Sequence, residues 1–127
     1  EEYVDGGVAE LLVGVVLDPV HGLLMTIGAG GVTTELLDDT FSCLVPASRE
    51  ELDQQLKGLR CAPLLSGFRN RDAADRERLL DTLLAVQNAA LQLADRLVEL
   101  EINPLICTAD SCVAVDALVS VRDIPVQ

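Results

Sequence analysis

Three polar residues alternate through an otherwise apolar stretch near the carboxy end of the chain: Glu99, Glu101 and Asn103 in Glu99-Leu100-Glu101-Ile102-Asn103-Pro104-Leu105. On a strand, residues two apart share a face, so all three point the same way. Such a row must be solvated or bind something, because burying unpaired polar groups is costly. Asp116 stands between apolar neighbours in a second such stretch, Val113-Ala114-Val115-Asp116-Ala117. If the two stretches pair about the turn Thr108-Ala109-Asp110-Ser111, Asn103 and Asp116 face nearly opposite positions, about 4.5–5.5 Å apart. Two oxygen donors at that spacing suit Mg²⁺, which takes one or two protein oxygens and keeps its other positions for phosphates and water. A solvated sheet face has the same residue pattern, and both readings stand at this point.

The elements that must hold these residues follow from periodicity and punctuation. Residues 8–17 are aliphatic and β-branched, preceded by Asp5-Gly6-Gly7 and stopped by Asp18-Pro19, which predicts a strand. Leu23 to Ile27 reads as its antiparallel partner, Gly28-Ala29-Gly30-Gly31 breaks the pattern, and Phe41 to Val45 is a shorter strand ended by Pro46. Ser48-Arg49-Glu50-Glu51 is a capping box opening a helix with Leu52, Leu56 and Leu59 on one side, ending near Gly58 to Arg60, before the stop at Pro63. A longer helix is expected from Asp72, with Asp75 and Glu77 in its first turn. Its apolar stripe is Leu80, Leu83, Leu84, Ala90, Leu91, Ala94 and Leu97, which makes a rod of about 24 residues and roughly 36 Å. Val98 to Cys107 and Cys112 to Val121 close the chain as a hairpin interrupted by Pro104. Hairpins with helices collected between them predict an α+β fold in one domain, 1–127: a mixed, largely antiparallel sheet with helices on one face.

Composition narrows the function. The 127 residues are half hydrophobic, so the chain can build a core, and with aromatics at 2% that core is Leu, Val, Ile and Ala. A formal charge of −12 excludes a nucleic-acid binder, which needs a basic stripe, and disfavours an anionic membrane surface. No apolar run reaches the ~20 residues of a membrane span. An acidic domain can still serve a triphosphate if a divalent cation lies between its carboxylates and the phosphates. The start Glu1-Glu2-Tyr3-Val4-Asp5 has no initiator Met or basic leader and reads as the interior of a larger protein. Cys43, Cys61, Cys107 and Cys112 lack Cys-x-x-Cys spacing, which argues against zinc. Cys107 and Cys112 flank the hairpin turn and could face each other across it. Reduced, half-buried thiols of a cytoplasmic protein are the plainer reading, with a disulfide as the alternative.

The stretch Glu-Ile-Asn-Pro-Leu followed by Ala-Val-Asp-Ala resembles the closing motif of the ATP-grasp domain in nucleoside-diphosphate-forming acyl-CoA and succinyl-CoA synthetases. Further matches are Glu10-Leu11-Leu12-Val13-Gly14-Val15, Asp18-Pro19, Gly28-x-Gly30-Gly31 with Glu35 following, and Leu64-Leu65-Ser66-Gly67-Phe68-Arg69, so the similarity runs through nearly the whole chain. The resemblance implies the carboxy-terminal part of that domain, with Asn103 and Asp116 as ligands of the Mg²⁺ that bridges ATP phosphates. It implies Glu101 near the phosphohistidine loop during phosphoryl transfer, Arg69 on phosphate and Glu10 in the nucleotide cleft. The intact ligase would interconvert acyl-CoA, ADP and phosphate with free acid, CoA and ATP. Its partners would be the amino-terminal ATP-grasp half and the CoA-binding and ligase domains of the same enzyme, and this part alone would not turn over. A regulatory synthetase-like module fused to a protein lysine acetyltransferase, and a non-catalytic interaction domain, are the alternatives.

Two positions depart from the family pattern. His21, the only histidine, stands where the family has an aromatic residue, in a turn, which speaks against a phosphorylated nucleophile. Asn70 replaces the glycine after Arg69 and bears on how Arg69 is presented. The glycines at 28, 30 and 31 lack the spacing of a dinucleotide fingerprint and read as close backbone packing or a sharp bend rather than a phosphate cradle. Glu35 reads as structural.

Overall fold

The computed structural model describes residues 9–30, 39–66 and 73–123. Strict alternation sets the sheet: in β1 (Ala9–Asp18) the residues Ala9, Leu11, Val13 and Val15 are buried. In β2 (Gly22–Ala29) the buried set is Leu23, Met25 and Ile27, and the register places Val13 beside Ile27 and Val15 beside Met25. One face of a strand pair is thereby made continuous and apolar, which fixes the register, since a slip of one residue would turn it to water. The turn between them is held by Asp18, whose carboxylate accepts the Val20 and His21 N–H groups at 2.7 and 3.2 Å.

β3 (Thr40–Leu44) pairs with β2, and β4 (Leu97–Cys107) pairs with the other side of β1. The far edge of β4 is shared by β5 (Cys112–Ala114) and β6 (Ala117–Val121). The path is β3-β2-β1-β4-β5, with β6 beside the first half of β4, and every one of these pairings is antiparallel. The second half of the closing hairpin is thus two short strands, not one strand from Cys112 to Val121. The division falls at Val115-Asp116, opposite the point where β4 itself is irregular: between Val13/Ile102 and Leu11/Leu105, two residues of β4, Asn103 and Pro104, oppose Leu12 alone. That is a bulge, and it bends the strand where the polar residues sit. The Asn103–Pro104 and Val45–Pro46 peptides are cis.

Among the described residues three helices cover one face. α1 (Arg49–Lys57) starts at Ser48, whose hydroxyl accepts the Glu51 N–H at 3.1 Å, and buries Leu52 and Leu56. α2 (Ala62–Ser66) is a short helix that the sequence reading did not contain. Pro63, read as a stop, lies in its first turn, where a missing N–H costs nothing. The buried Asp39 carboxylate accepts the Arg60 and Cys61 N–H groups just ahead of it.

α3 (Arg76–Gln92) is shorter at both ends than periodicity predicted. Its cap is Asp75, which accepts the Arg78 N–H, while the Ala74 and Asp75 N–H groups bond the Leu65 and Thr108 carbonyls instead of a helical turn. Leu97 belongs to β4, and Leu91 points outward. The inner face of α3 is Leu79, Leu80, Leu83, Val86, Gln87 and Ala90. Gln87 is buried and ties α3 to the chain after Pro46: it accepts the Ala47 N–H at 2.7 Å and donates to the Ala47 carbonyl at 3.0 Å. The core is one cluster between these helices and the inward residues of β1, β2, β3 and β4. Among the described residues no helix is long and apolar enough to cross a membrane.

Candidate functional site

The sheet face away from the helices carries the candidate residues of β4. In β4 the residues Leu100, Ile102, Leu105 and Cys107 are buried inward, which leaves Glu99, Glu101 and Asn103 on the opposite face as the alternation requires. Glu101 is half-buried and Asn103 is exposed. The hairpin register expected about Thr108–Ser111 is the one found, with Cys107 paired to Cys112, Leu105 to Ala114 and Ile102 to Ala117. Within that frame the Asn103 N–H donates to the Asp116 carbonyl at 3.0 Å, and the Val115 N–H donates to the Pro104 carbonyl at 3.0 Å. The two candidate metal ligands are therefore direct cross-strand neighbours at the bulge.

The turn that sets this register is itself over-determined. Thr108 is buried, its N–H donates to the Ser111 carbonyl at 2.9 Å, and its hydroxyl meets the Ser111 hydroxyl at 2.7 Å and the Asp110 carboxylate at 3.1 Å. A one-residue slip of β5 would break all of these and move Asp116 to the other side of the ladder.

Glu101 lies in a row that crosses five strands: Leu118, Glu101, Gly14, Thr26 and Ser42. Gly14 leaves the space beside Glu101 open, since a Cβ there would find its nearest neighbour at 3.8 Å. The row continues as a Thr26–Ser42 hydroxyl pair at 2.8 Å. Sequence reasoning named Gly14 only as part of a motif, and the register is what shows its place beside the acid. Glu10 is exposed on β1, on the same face and one strand over, paired in register with Ile106. The structure thus gathers Glu101, Asn103 and Asp116, puts Glu10 on the adjoining strand, and leaves Arg69 and Glu35 outside the described residues.

Two glycines work nearby by close approach. A Cβ at Gly28 would lie 2.7 Å from the Asp39 carbonyl oxygen, and one at Gly30 would lie 3.2 Å from the Glu10 carbonyl. Gly30 also donates its N–H to that carbonyl at 2.9 Å. Close packing accounts for both, against the Glu10 backbone at Gly30 and against Thr40 as well as the Asp39 backbone at Gly28, as the sequence pattern implied.

The charge on this face is of one sign. Strands β1 to β6 contain no Lys or Arg, whereas they carry Glu10, Asp18, Glu99 and Glu101, with Asp116 between β5 and β6. The described cations lie outside the strands: Arg49 bridges Glu77 and Asp81, and Arg76 and Lys57 share Asp53. A cleft of about 440 Å³ lies among them, lined by Lys57, Leu59, Arg60, Ala62, Pro63, Ser66 and Arg76, and includes none of the sheet-face acids. His21 is exposed in the β1–β2 turn with its Nδ1 3.4 Å from Asp18, away from the candidate ligands.

Among the described residues no three side chains of His, Cys, Asp and Glu gather closely enough to cage an ion. Asn103 and Asp116 are backbone neighbours across the ladder, and an amide oxygen and a carboxylate are hard oxygen donors of the kind that could hold Mg²⁺ while leaving most positions to a phosphate ligand and water. What this arrangement can do is hold a divalent cation against an anionic substrate.

A family model described as an ATP-grasp domain matches residues 1–121. The beta subunit of acetate–CoA ligase [ADP-forming] I from Pyrococcus furiosus is 32% identical over 108 residues, 85% of this chain and 46% of that protein. The 4-hydroxybutyrate–CoA ligase [ADP-forming] from Nitrosopumilus maritimus is 29% identical over 105 residues, 83% of this chain and 15% of that protein. Among solved structures, the dinucleotide forming acetyl-coenzyme A synthetase 1 of Ca. Korarchaeum cryptofilum superposes with a TM-score of 0.87 at 29% identity, covering 95% of this chain and 56% of that one. That protein was crystallised with coenzyme A and Mg-AMPPCP, its phosphohistidine segment pointing towards the nucleotide binding site. The chain spans about half the length, or less, of the curated relatives it matches. It belongs to the ATP-grasp domain family.

Proposed function

We propose that these residues are one domain unit, the carboxy-terminal part of the ATP-grasp domain of an acyl-CoA synthetase that forms a nucleoside diphosphate. The reaction is the interconversion of acyl-CoA, ADP and phosphate with a carboxylic acid, CoA and ATP. The observation that carries this reading is the juxtaposition of Asn103 and Asp116 at the β4 bulge, on the open acidic face of the sheet. The relatives' printed activities, ADP-forming ligation of acids to CoA, support the reaction class.

In this reading Asn103 and Asp116 hold Mg²⁺, which supplies charge neutralisation for the phosphates of the bound nucleotide. Phosphoryl transfer asks a protein chiefly for positioning and electrostatics. The rigid Thr108 turn and the β4 bulge set where Asp116 and Asn103 present their oxygens. Glu101, two residues along the same face, borders the path of the incoming phosphohistidine, and Glu10 lines the nucleotide cleft from β1. Arg69 contacts phosphate. The strands supply no cation of their own, so the remaining positive charge comes from the amino-terminal half of the domain. β6 leaves Leu118, Val119 and Val121 about half exposed at the sheet edge, apolar surface of the kind that another part of a larger protein covers.

The test is a calorimetric titration of Mg-ATP into this chain joined to the amino-terminal half of its domain, against the Asp116→Ala variant. Affinity should fall roughly tenfold or more in the variant, the scale at which loss of metal-site groups acts. Unchanged binding would remove Asp116 from the site, and no binding by the parent would remove the ligase reading.

A further inference from the structure

We infer that Cys107 and Cys112 form a reversible dithiol–disulfide couple, a modification site for small disulfides such as oxidised glutathione. The inference rests on hairpin geometry and is independent of the ligase reading. β4 and β5 place the two cysteines directly opposite each other. The Thr108 N–H bonds the Ser111 carbonyl on one side, and the Val115 N–H bonds the Pro104 carbonyl further along. Bonded and non-bonded pairs alternate along an antiparallel ladder, so the 107/112 pair occupies a non-bonded position. Cα atoms at such positions lie about 4.5 Å apart, inside the span a disulfide bridges. Both thiols are free, and they hydrogen-bond each other.

The two sulfurs are not equivalent. Cys107 is fully buried and Cys112 is half-buried, so an external reagent meets Cys112 first. Cys112 is also the more readily ionised of the two, because its hydrogen bond with Cys107 lowers its pKa, with Thr82 on α3 acting in the same direction. Cys107 is pushed the other way by that same bond and by burial. The Cys112 thiolate attacks one sulfur of the small disulfide, the external S–S bond breaks, and the departing thiolate takes up a proton. Cys107 then gives up its proton and attacks the Cys112 sulfur, expelling the second small thiol. Two protein thiols are oxidised and one external disulfide is reduced to two thiols, so the electrons balance. The competing half-buried thiol, Cys61, is held protonated by burial and by Asp39, which push its pKa to about 12. The bridge closes a short ring at the turn end of the hairpin whose other end carries Asn103 and Asp116.

Treatment of the 127-residue chain with oxidised glutathione, then alkylation and trypsin, tests this. Trypsin cuts after Arg96 and Arg122 and delivers both sulfurs on one peptide. The expected result is that peptide unalkylated and lighter by two hydrogens, two of the four thiols lost, and full recovery with dithiothreitol. The bridge should raise Tm by roughly 5 °C. The Cys107→Ser variant, or Cys107→Ala where the hydroxyl disturbs the core, should trap the glutathione adduct on Cys112. A bridge or adduct at Cys61 or Cys43 would overturn the inference. So would a native chain that keeps four free thiols at a redox poise that oxidises the pair in urea.

Discussion

The two faces of the sheet are built from the same strands and answer to different rules. Towards the helices, Leu11, Val13, Val15, Met25, Ile27 and Leu105 are completely buried, and the buried amide of Gln87 is matched by the backbone of Ala47. Away from the helices, Glu10, Glu99, Glu101 and Asn103 stand without a single Lys or Arg on the strands that carry them. The first face stabilises the fold, and the second keeps strands whose charges, among the described residues, are of one sign. Alternation along β4 separates the two so cleanly that neighbouring residues, Glu101 and Ile102, belong to different economies of the molecule.

The largest effect should come from the buried face. Leu105→Ala removes a side chain with no exposure from the strand that also carries Asn103, and such truncations cost about 2–5 kcal/mol. Urea unfolding checks this. A loss under 1 kcal/mol would mean that β4 is held from its open side, against the comparison. A smaller loss is expected from Gln87→Leu, which leaves both Ala47 groups buried without partners at about 1–3 kcal/mol. The m-value should stay unchanged, because the defect is local.

How far the sequence discloses these faces depends on whether local or tertiary forces decide. β1, β2 and β4 were legible because their period of two comes from burial on one side only. The register of the closing hairpin was legible too, since a four-residue turn leaves one pairing that keeps Leu105 and Cys107 inward. The division of β5 from β6 was not, because it answers a bulge in β4. α3 was misplaced at its start since the Ala74 and Asp75 amides go to Leu65 and Thr108, partners no helical pattern contains. Pro63 hid α2 for a related reason: the Asp39 carboxylate that meets the amides ahead of this helix is distant in sequence. At the candidate site the residue types and the Asn103–Asp116 pairing were readable. The openness beside Glu101 that Gly14 provides was not, since it exists only once β1 lies on β4.

On the open face, substitution should hardly touch stability. Asp116→Ala and Glu101→Gln are expected to stay within about 0.5 kcal/mol of the parent in urea unfolding, as surface changes outside structural networks do. Any gain should appear at low ionic strength and vanish in high salt, because it comes from relieved like-charge repulsion. A loss above 1 kcal/mol for either would show that the open face supports the fold as well, and would weaken its assignment to ligand binding.

The smallest effect sharpens the comparison at Asp18, an acid at the end of β1 that is engaged by the fold. The Val20 and His21 N–H groups, with the His21 ring behind them, hold its carboxyl below the usual carboxylate value of 3.8. A depressed folded pKa makes the unfolded chain bind the proton first, so the contribution is complete above the ordinary value and is lost as pH falls through the folded one. Asp18→Ala should therefore lower Tm at neutral pH, and the gap to the parent should close in the acid range below 3.8. Asp18→Asn keeps an acceptor for the turn and should lose less than the alanine variant at neutral pH. The carboxylate is exposed to solvent, so the shift should be a few degrees at most. A gap that persists at the lowest pH would assign the turn's stability to geometry alone, and would leave the charge of Asp18 as idle in folding as that of Asp116.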